Sequence, residues 1–279
     1  MDNHEVLNLM QHAAETAILP RWRSLTDSEV REKRPGDLVT IADTDAEKII
    51  TTELRAAFPD AIILGEEAAS ANPDLFDRFY AADHAFTVDP IDGTANFVNG
   101  SQDFAVMIAE IKHGETVRSW ILQPGNGVAF TAEKGSGAYR NDTRLKTRTI
   151  DDDVATWRGV TSRNALKKLK FNPLSRLHSA WWSCGVDYPN IALGRADYVV
   201  YKHVLPWDHA PGSLILSEVG GQSIHRDGKN YSPTQPDRRW LIAGSSDIPR
   251  KVLPYLAQSL TSSNTTPGQG PEPEDIFAL

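Results

Sequence analysis

Apolar residues recur at Leu9, Ala13, Ala14, Ala17 and Ile18, a spacing that predicts an amphipathic helix from Glu5 to Leu19, stopped by Pro20. REKRPGD then breaks the pattern as a basic Pro-Gly loop. LVTIADTDAEKIITTELRAAF opens β-branched and turns helical, with Ala46, Ile49, Ile50 and Leu54 on one face. AIIL, Ala61 to Leu64, predicts a short buried strand running into Gly65-Glu66-Glu67, and AFTVDP predicts another. From Phe104 to Tyr139 short apolar runs alternate with Gly-rich breaks, which predicts an antiparallel meander. A second α/β half follows: ATWRGVTS as strand, a basic helical stretch from Asn164 to Lys170, strands near WWSCG, then PNIALGRADYVVYK. A helix HAPGSLILSEVGG comes next, with Pro211 in its first turn and Gly220-Gly221 at its end. These elements suggest an amino-terminal half over 1–150, a carboxy-terminal half over 151–260, and a disordered tail over 261–279 that is poor in apolar residues.

Composition narrows the class. With 40% hydrophobic and 24% charged residues the chain matches an ordinary soluble globular protein. A net charge of −8 and no basic stripe argue against a nucleic-acid-coating protein. Cys184 is the single cysteine, so no internal disulfide forms. No signal-peptide pattern opens the chain and no apolar run suits a bilayer, so the expected location is the cytoplasm, away from membranes.

The candidate chemistry sits at strand ends, where layered α/β folds bind ligands. Glu66 and Glu67 follow AIIL, Asp89 and Asp92 follow AFTV, and Asp208 opens a helix after Trp207. Each carboxylate alone reads equally as a surface charge or a helix cap. Together they would repel one another without cations, and all-oxygen ligation suits Mg²⁺, with Mn²⁺ as a substitute. In DPIDGTANF, Asp89 to Phe97, Pro and Gly rule out a helix interior, and a strand ending in a plain turn is the simpler reading. As a site, Asp89 can bridge two ions, the Ile91 carbonyl and Asp92 can each face one, and Gly93 and Thr94 can cradle a phosphate.

DPIDGTANF, with GEE upstream, WDHAPGSLILSEVGG downstream, GDLVTIADTDAE before and EKGSGAYRND between, resembles the signature set of the inositol monophosphatase family of Mg²⁺-dependent, lithium-sensitive phosphatases. The resemblance runs from about Gly36 to Gly221. It implies a mixed α+β fold, the layered αβαβα sandwich shared with fructose-1,6-bisphosphatases, and a homodimer. By matching position, Glu66, Asp89 and the Ile91 carbonyl would hold a first ion, and Asp89, Asp92 and Asp208 a second. Glu66 would reach a third through water. Asp43 and Thr94 would orient and deprotonate the attacking water, with Glu67 in support. Asp43 also reads as the N-cap of a helix starting near Thr44.

The chain departs from that family where substrate is chosen. Gly185-Val186-Asp187-Tyr188-Pro189 replaces a run of small residues, and Tyr201 stands where a sugar-binding Glu is expected. Asp187, Arg195 and Tyr201 are therefore candidate specificity residues; alternatively Arg195 pairs with Asp197 or another carboxylate, and Tyr201 faces the core. Trp181 and Trp182 read as core rather than as a stacking platform for a base, His209 as a first-turn helix residue, and Arg163 to Lys170 as a solvated helix face, although Arg195, Lys202 or that cluster could supply the cation for a second phosphate. The expected activity is hydrolysis of a small phosphorylated polyol, sugar or amino alcohol. A 3′(2′),5′-bisphosphate nucleotide or a sugar bisphosphate is the alternative substrate, and a regulatory binding protein on the same fold is the non-enzymatic reading.

Overall fold

Asp2 accepts a hydrogen bond from the Glu5 amide while the Glu5 carboxylate accepts one back from the Asp2 amide at 2.7 Å, and this box starts α1 (Asn3–Ala13). The computed structural model describes residues 1–235 and 239–262; the expected disordered tail lies, from residue 263 onward, outside them. Val6, Leu9, Met10 and Ala13 bury the apolar face of α1, and one π-helical turn, Ala14–Ile18, carries the chain to Pro20. The expected basic loop is instead a hairpin of β1 (Val30–Arg34) and β2 (Asp37–Thr40), because Gly36 adopts φ +84 and closes a tight turn. Thr40 caps α2 (Ile41–Ala57), so Asp43 is its third residue rather than its N-cap.

Next come β3 (Ile62–Gly65), α3 (Glu66–Ala71), α4 (Leu75–Tyr80), β4 (His84–Asp92) and α5 (Thr94–Val98). The meander follows as β5 (Ala105–Lys112), β6 (Glu115–Gln123), β7 (Val128–Glu133), β8 (Gly137–Arg140) and β9 (Thr143–Arg144). Strands β3 to β9 line up in sequence order as one seven-stranded sheet, parallel only between β3 and β4.

Past this sheet the chain forms β10 (Gly159–Thr161), α6 (Asn164–Lys167), β11 (His178–Ser179), α7 (Cys184–Ala192) and β12 (Tyr198–His203). It continues as α8 (Pro206–Ser217), β13 (Gln222–His225), β14 (Arg239–Gly244) and α9 (Ile248–Ser262). The second sheet has the order β11-β10-β12-β14-β13. WWSCG is therefore not a strand: its last two residues open α7. Pro189 hides this helix from the sequence pattern because it cannot donate to the Gly185 carbonyl one turn back. The Gln123 side-chain amide donates to that carbonyl instead, at 2.8 Å. The first-turn proline of α8 is Pro206; Pro211 lies a turn deeper.

Three apolar interfaces stack the layers. Helices α1 and α2 cover one face of the larger sheet through Ile50, Leu54, Phe86 and Ile108. Helices α7 and α8 lie between the two sheets, packed on Met107 and Ile121 on one side and Val199 and Leu241 on the other. Ile248, Val252 and Leu256 of α9 close the far face of the second sheet. The result is an αβαβα sandwich, with α7 and α8 pressed so tightly that a Cβ on Gly212 would fall 2.2 Å from the Tyr188 ring.

Candidate active site

A regular strand would send Asp89 and Asp92, three residues apart, to opposite faces. β4 does not run regularly there. Asp89 pairs with Met107 and Asp92 with Ala105, so three steps on β4 match two on β5, and the bulge turns both carboxylates to one side. Pro90, lacking an N–H, sits inside that irregularity at no cost to the ladder. The first turn of α8 adds Asp208 from the second half, and carboxylate oxygens of Asp89, Asp92 and Asp208 all lie within 4.8 Å of one another.

Two further acids come from α3. Its first turn presents Glu66 and Glu67, and Glu47 of α2 accepts the Glu67 and Ala68 amides at 2.8 and 2.9 Å. A Cβ on Gly65 would lie 2.5 Å from the Glu47 carboxyl, so the chain turns here on glycine. Lys33 of the hairpin reaches in as well, its Nζ 2.8 Å from Glu66 and 3.0 Å from Glu67. Sequence reasoning passed over both Lys33 and Glu47. Lys33 was hidden by reading its hairpin as loop; Glu47 lies one turn beyond Asp43 on the buried face of α2, and that spacing was the available signal.

Charge is poorly compensated. Burial, then the carboxylates of Glu66, Asp92 and Asp208, pushes Asp89 well above the usual range, and Asp208 rises likewise through burial, Asp92 and Glu66. Asp92 rises to about 6 by burial, although Ser183 Oγ and the Gly185 amide both donate to its Oδ2. Glu67 reaches about 8: burial and Glu66 outweigh its ion pair with Lys33. Asp89 Oδ1 is buried without a hydrogen-bond partner. A cluster of hard oxygen donors that resists ionisation on its own, with one donor unsatisfied, fits a small divalent cation such as Mg²⁺.

Beside the cluster, Asp43 uses Oδ2 to accept from the Thr40 amide at 2.7 Å and from its hydroxyl at 2.6 Å. Its Oδ1 lies 3.2 Å from Thr94 Oγ1, which is also 3.0 Å from the Ile91 carbonyl. Burial raises Asp43 to about 7, against the hydrogen bonds from Thr40. Gly93 precedes Thr94 at φ +85, and a Cβ there would meet Ser183 Cβ at 3.0 Å and the Asp103 carbonyl at 3.1 Å.

A cavity of about 370 Å³ opens over these groups, with Glu66, Asp89, Ile91, Asp92, Gly93, Thr94 and Asp208 in its lining. Asp187 and Tyr201 also line it. Asp187 accepts the Trp181 amide at 2.8 Å and the Tyr201 hydroxyl at 3.3 Å, and burial raises it to about 8. Tyr201 thus serves the core and the cavity at once. Gly185 and Val186 are buried in α7 and do not line the cavity. Arg195 is not brought there either; its guanidinium donates to Asn190 Oδ1 at 2.8 Å, while Asp197 pairs with Arg148. Trp182, expected in the core, is 51% exposed at the cavity wall. Of the expected basic helix only Asn164–Lys167 forms, and Arg163 just before it lines the cavity with Lys202. Replacing Glu47 by Ala is expected to weaken Mg²⁺ binding about 10- to 100-fold in a calorimetric titration, because the amides that fix Glu66 and Glu67 lose their acceptor.

Acids whose oxygens lie within 4.8 Å of one another, with a hydroxyl–carboxylate pair alongside, suit metal-assisted hydrolysis. The inositol monophosphatase family model matches residues 2–264, and the chain belongs to that family. An inositol-1-monophosphatase of Mesorhizobium japonicum is 31% identical over 94% of this chain and 100% of its own length. The extragenic suppressor protein suhB of Bartonella henselae is 30% identical, with a TM-score of 0.74 over 90% of this chain and 98% of that one. An IMPase/NADP phosphatase structure complexed with Mg²⁺ and phosphate shares the fold, with a TM-score of 0.77 at 20% identity over 91% of this chain and 94% of that one. No helix among the described residues is long and apolar enough to cross a membrane.

Proposed function

We propose that this phosphatase hydrolyses a small soluble phosphate monoester with two or three Mg²⁺ ions held by Glu66, Asp89, the Ile91 carbonyl, Asp92 and Asp208. The convergence of Asp89, Asp92 and Asp208 carries the reading. Bound there, the ions would neutralise phosphoryl oxygens and acidify a water. Thr94, donating its hydroxyl hydrogen to Asp43, offers a lone pair to that water and fixes its direction of attack. Asp43, a buried carboxylate 3.2 Å from Thr94 Oγ1, would take the proton. Lys33 orients Glu66 and Glu67, and Glu67 supports from behind. The amides of Gly93 and Thr94, at the start of α5, are placed to receive phosphoryl oxygens.

Polyol, sugar, amino-alcohol and nucleoside phosphates all meet this description. The test is phosphate release from a panel of them, with Mg²⁺, with Mn²⁺ and with EDTA. Turnover of at least one compound that EDTA abolishes and Mg²⁺ restores is expected. A folded protein that releases phosphate from none would sink the reading and favour a binding role on the same fold.

A further inference from the structure

Between Val154 and Val186 the chain carries six lysines and arginines and no aspartate or glutamate, in a protein whose net charge is −8. The fold gathers part of this run in one place. Lys167 ends α6, and Lys168, Leu169 and Lys170 follow it at the surface. Lys167 reaches across to β11, where its Nζ donates to Ser179 Oγ at 2.9 Å, and it lies 5.7 Å from the centre of the Trp182 ring. Lys168 and Lys170 are exposed and meet no carboxylate among the described residues. The other basic run, Arg140 to Arg148, includes Asp142, and its Arg148 is already paired with Asp197 at 3.2 Å.

Apolar surface lies among these charges. Leu169 is 39% exposed and Trp182 51%, two of the four large hydrophobic side chains left outside among the described residues. Trp182 is held out by its backbone, at φ +62, because the Asn96 amide of α5 donates to the Trp181 carbonyl at 2.8 Å and to the Asp103 carbonyl at 2.6 Å. A patch that mixes lysines with an exposed indole and a leucine suits a peptide that joins acids to large apolar side chains.

Such a peptide belongs to the chain itself. Residues 272–279 read EPEDIFAL, with three acids directly before Ile276 and Phe277. They follow α9, whose Val252 and Leu256 share one apolar cluster with Leu166 of α6 and with Phe171. From Leu256 the helix runs on for about 9 Å to Ser262. The nine residues 263–271 span up to about 30 Å, enough to return to α6. We propose that EPEDIFAL seats on this patch of its own chain, with Glu272, Glu274 and Asp275 against Lys167, Lys168 and Lys170, and Ile276 and Phe277 against Leu169 and Trp182. Exposed ion pairs are individually weak, but so short a tether raises the local concentration of the segment to about millimolar, so several weak contacts together suffice. Seated there, it borders the cavity over the acidic cluster, whose wall includes Trp182.

Carbodiimide coupling of the full chain tests this, because the reagent joins a carboxylate to an amine only where the two touch. Mass spectrometry is expected to find Glu272, Glu274 or Asp275 joined to Lys167, Lys168 or Lys170. The yield should fall several-fold near about 1 M salt, where charges are screened within about 3 Å. In a mixture of ordinary and isotopically labelled protein, each joined pair should come from one kind of chain. Hydrogen exchange gives a second readout. Amides from Leu166 to Trp182 should exchange about 3-fold or more faster in the Glu272→Lys/Glu274→Lys/Asp275→Lys variant, and adding Lys168→Glu and Lys170→Glu should restore the slower rate. Phe277→Ser, which leaves the charges alone, should also speed exchange there. Joined pairs that mix the two kinds of chain overturn the assignment to the same chain in favour of a second copy. No coupling to these lysines, or exchange unmoved by both tail variants, overturns the proposal outright.

Discussion

Asp92→Asn is expected to reduce phosphate release by well over about 100-fold, beyond the loss that removing an outer supporting partner brings. The carboxylate is placed by three features at once: the β4 bulge aims it beside Asp89, and Ser183 and the Gly185 amide fix its Oδ2. An asparagine keeps the size and one oxygen but removes the charge that an ion needs. The folded, metal-free variant should melt at a higher temperature than the wild type, since one of several mutually repelling buried acids has become neutral. Loss of activity together with gained stability marks a functional acid; phosphate release within tenfold of wild type would remove Asp92 from the site.

The second large effect is a pH-dependent gain of stability from Mg²⁺. In the metal-free protein Asp92, Asp43 and Glu67 hold protons up to about 6, 7 and 8, against about 4 in an unfolded chain, and burial raises Asp89 and Asp208 as well. An acid whose folded pKa is raised favours folding below its unfolded pKa, and that contribution is lost as pH climbs through the folded value. The EDTA-treated protein should therefore lose melting temperature between pH 6 and pH 8, by about 5 °C or more given several such groups. Saturating Mg²⁺ should flatten that slope, because the ion takes the place of the protons. Calorimetric scans on both sides of the window check this; equal slopes with and without the ion would mean that it binds elsewhere.

The sequence alone disclosed the acids and their order, because Asp-Pro-Ile-Asp, Gly-Glu-Glu and the Asp208 helix are local patterns with local causes. The layering was legible for the same reason: the meander and the flanking helices announce themselves by period. What stayed hidden depends on partners distant in the chain. α7 reads as strand until Gln123 is seen to satisfy the carbonyl that Pro189 strands, and α9 carries Pro254 within a run no pattern marks. Lys33 looks like one charge in a basic loop until the hairpin folds over α3. Trp182 looks like core because apolar residues usually are, and only the anchoring by Asn96 leaves it outside. Arg195, expected at the substrate wall, is diverted by Asn190 five residues earlier.

The bulge in β4 also says which changes to this gene product are forgiving. Altering a side chain between Asp89 and Asp92 leaves the number of residues facing β5 the same, so both acids keep their direction. Deleting one residue there would restore an even ladder and leave the two acids two positions apart, still on one side of the sheet, but would remove the extra residue that makes room for the turn of the Ile91 carbonyl to Thr94 Oγ1 at 3.0 Å. A single-codon deletion would thus keep the acid pair together while disturbing the carbonyl and hydroxyl beside it.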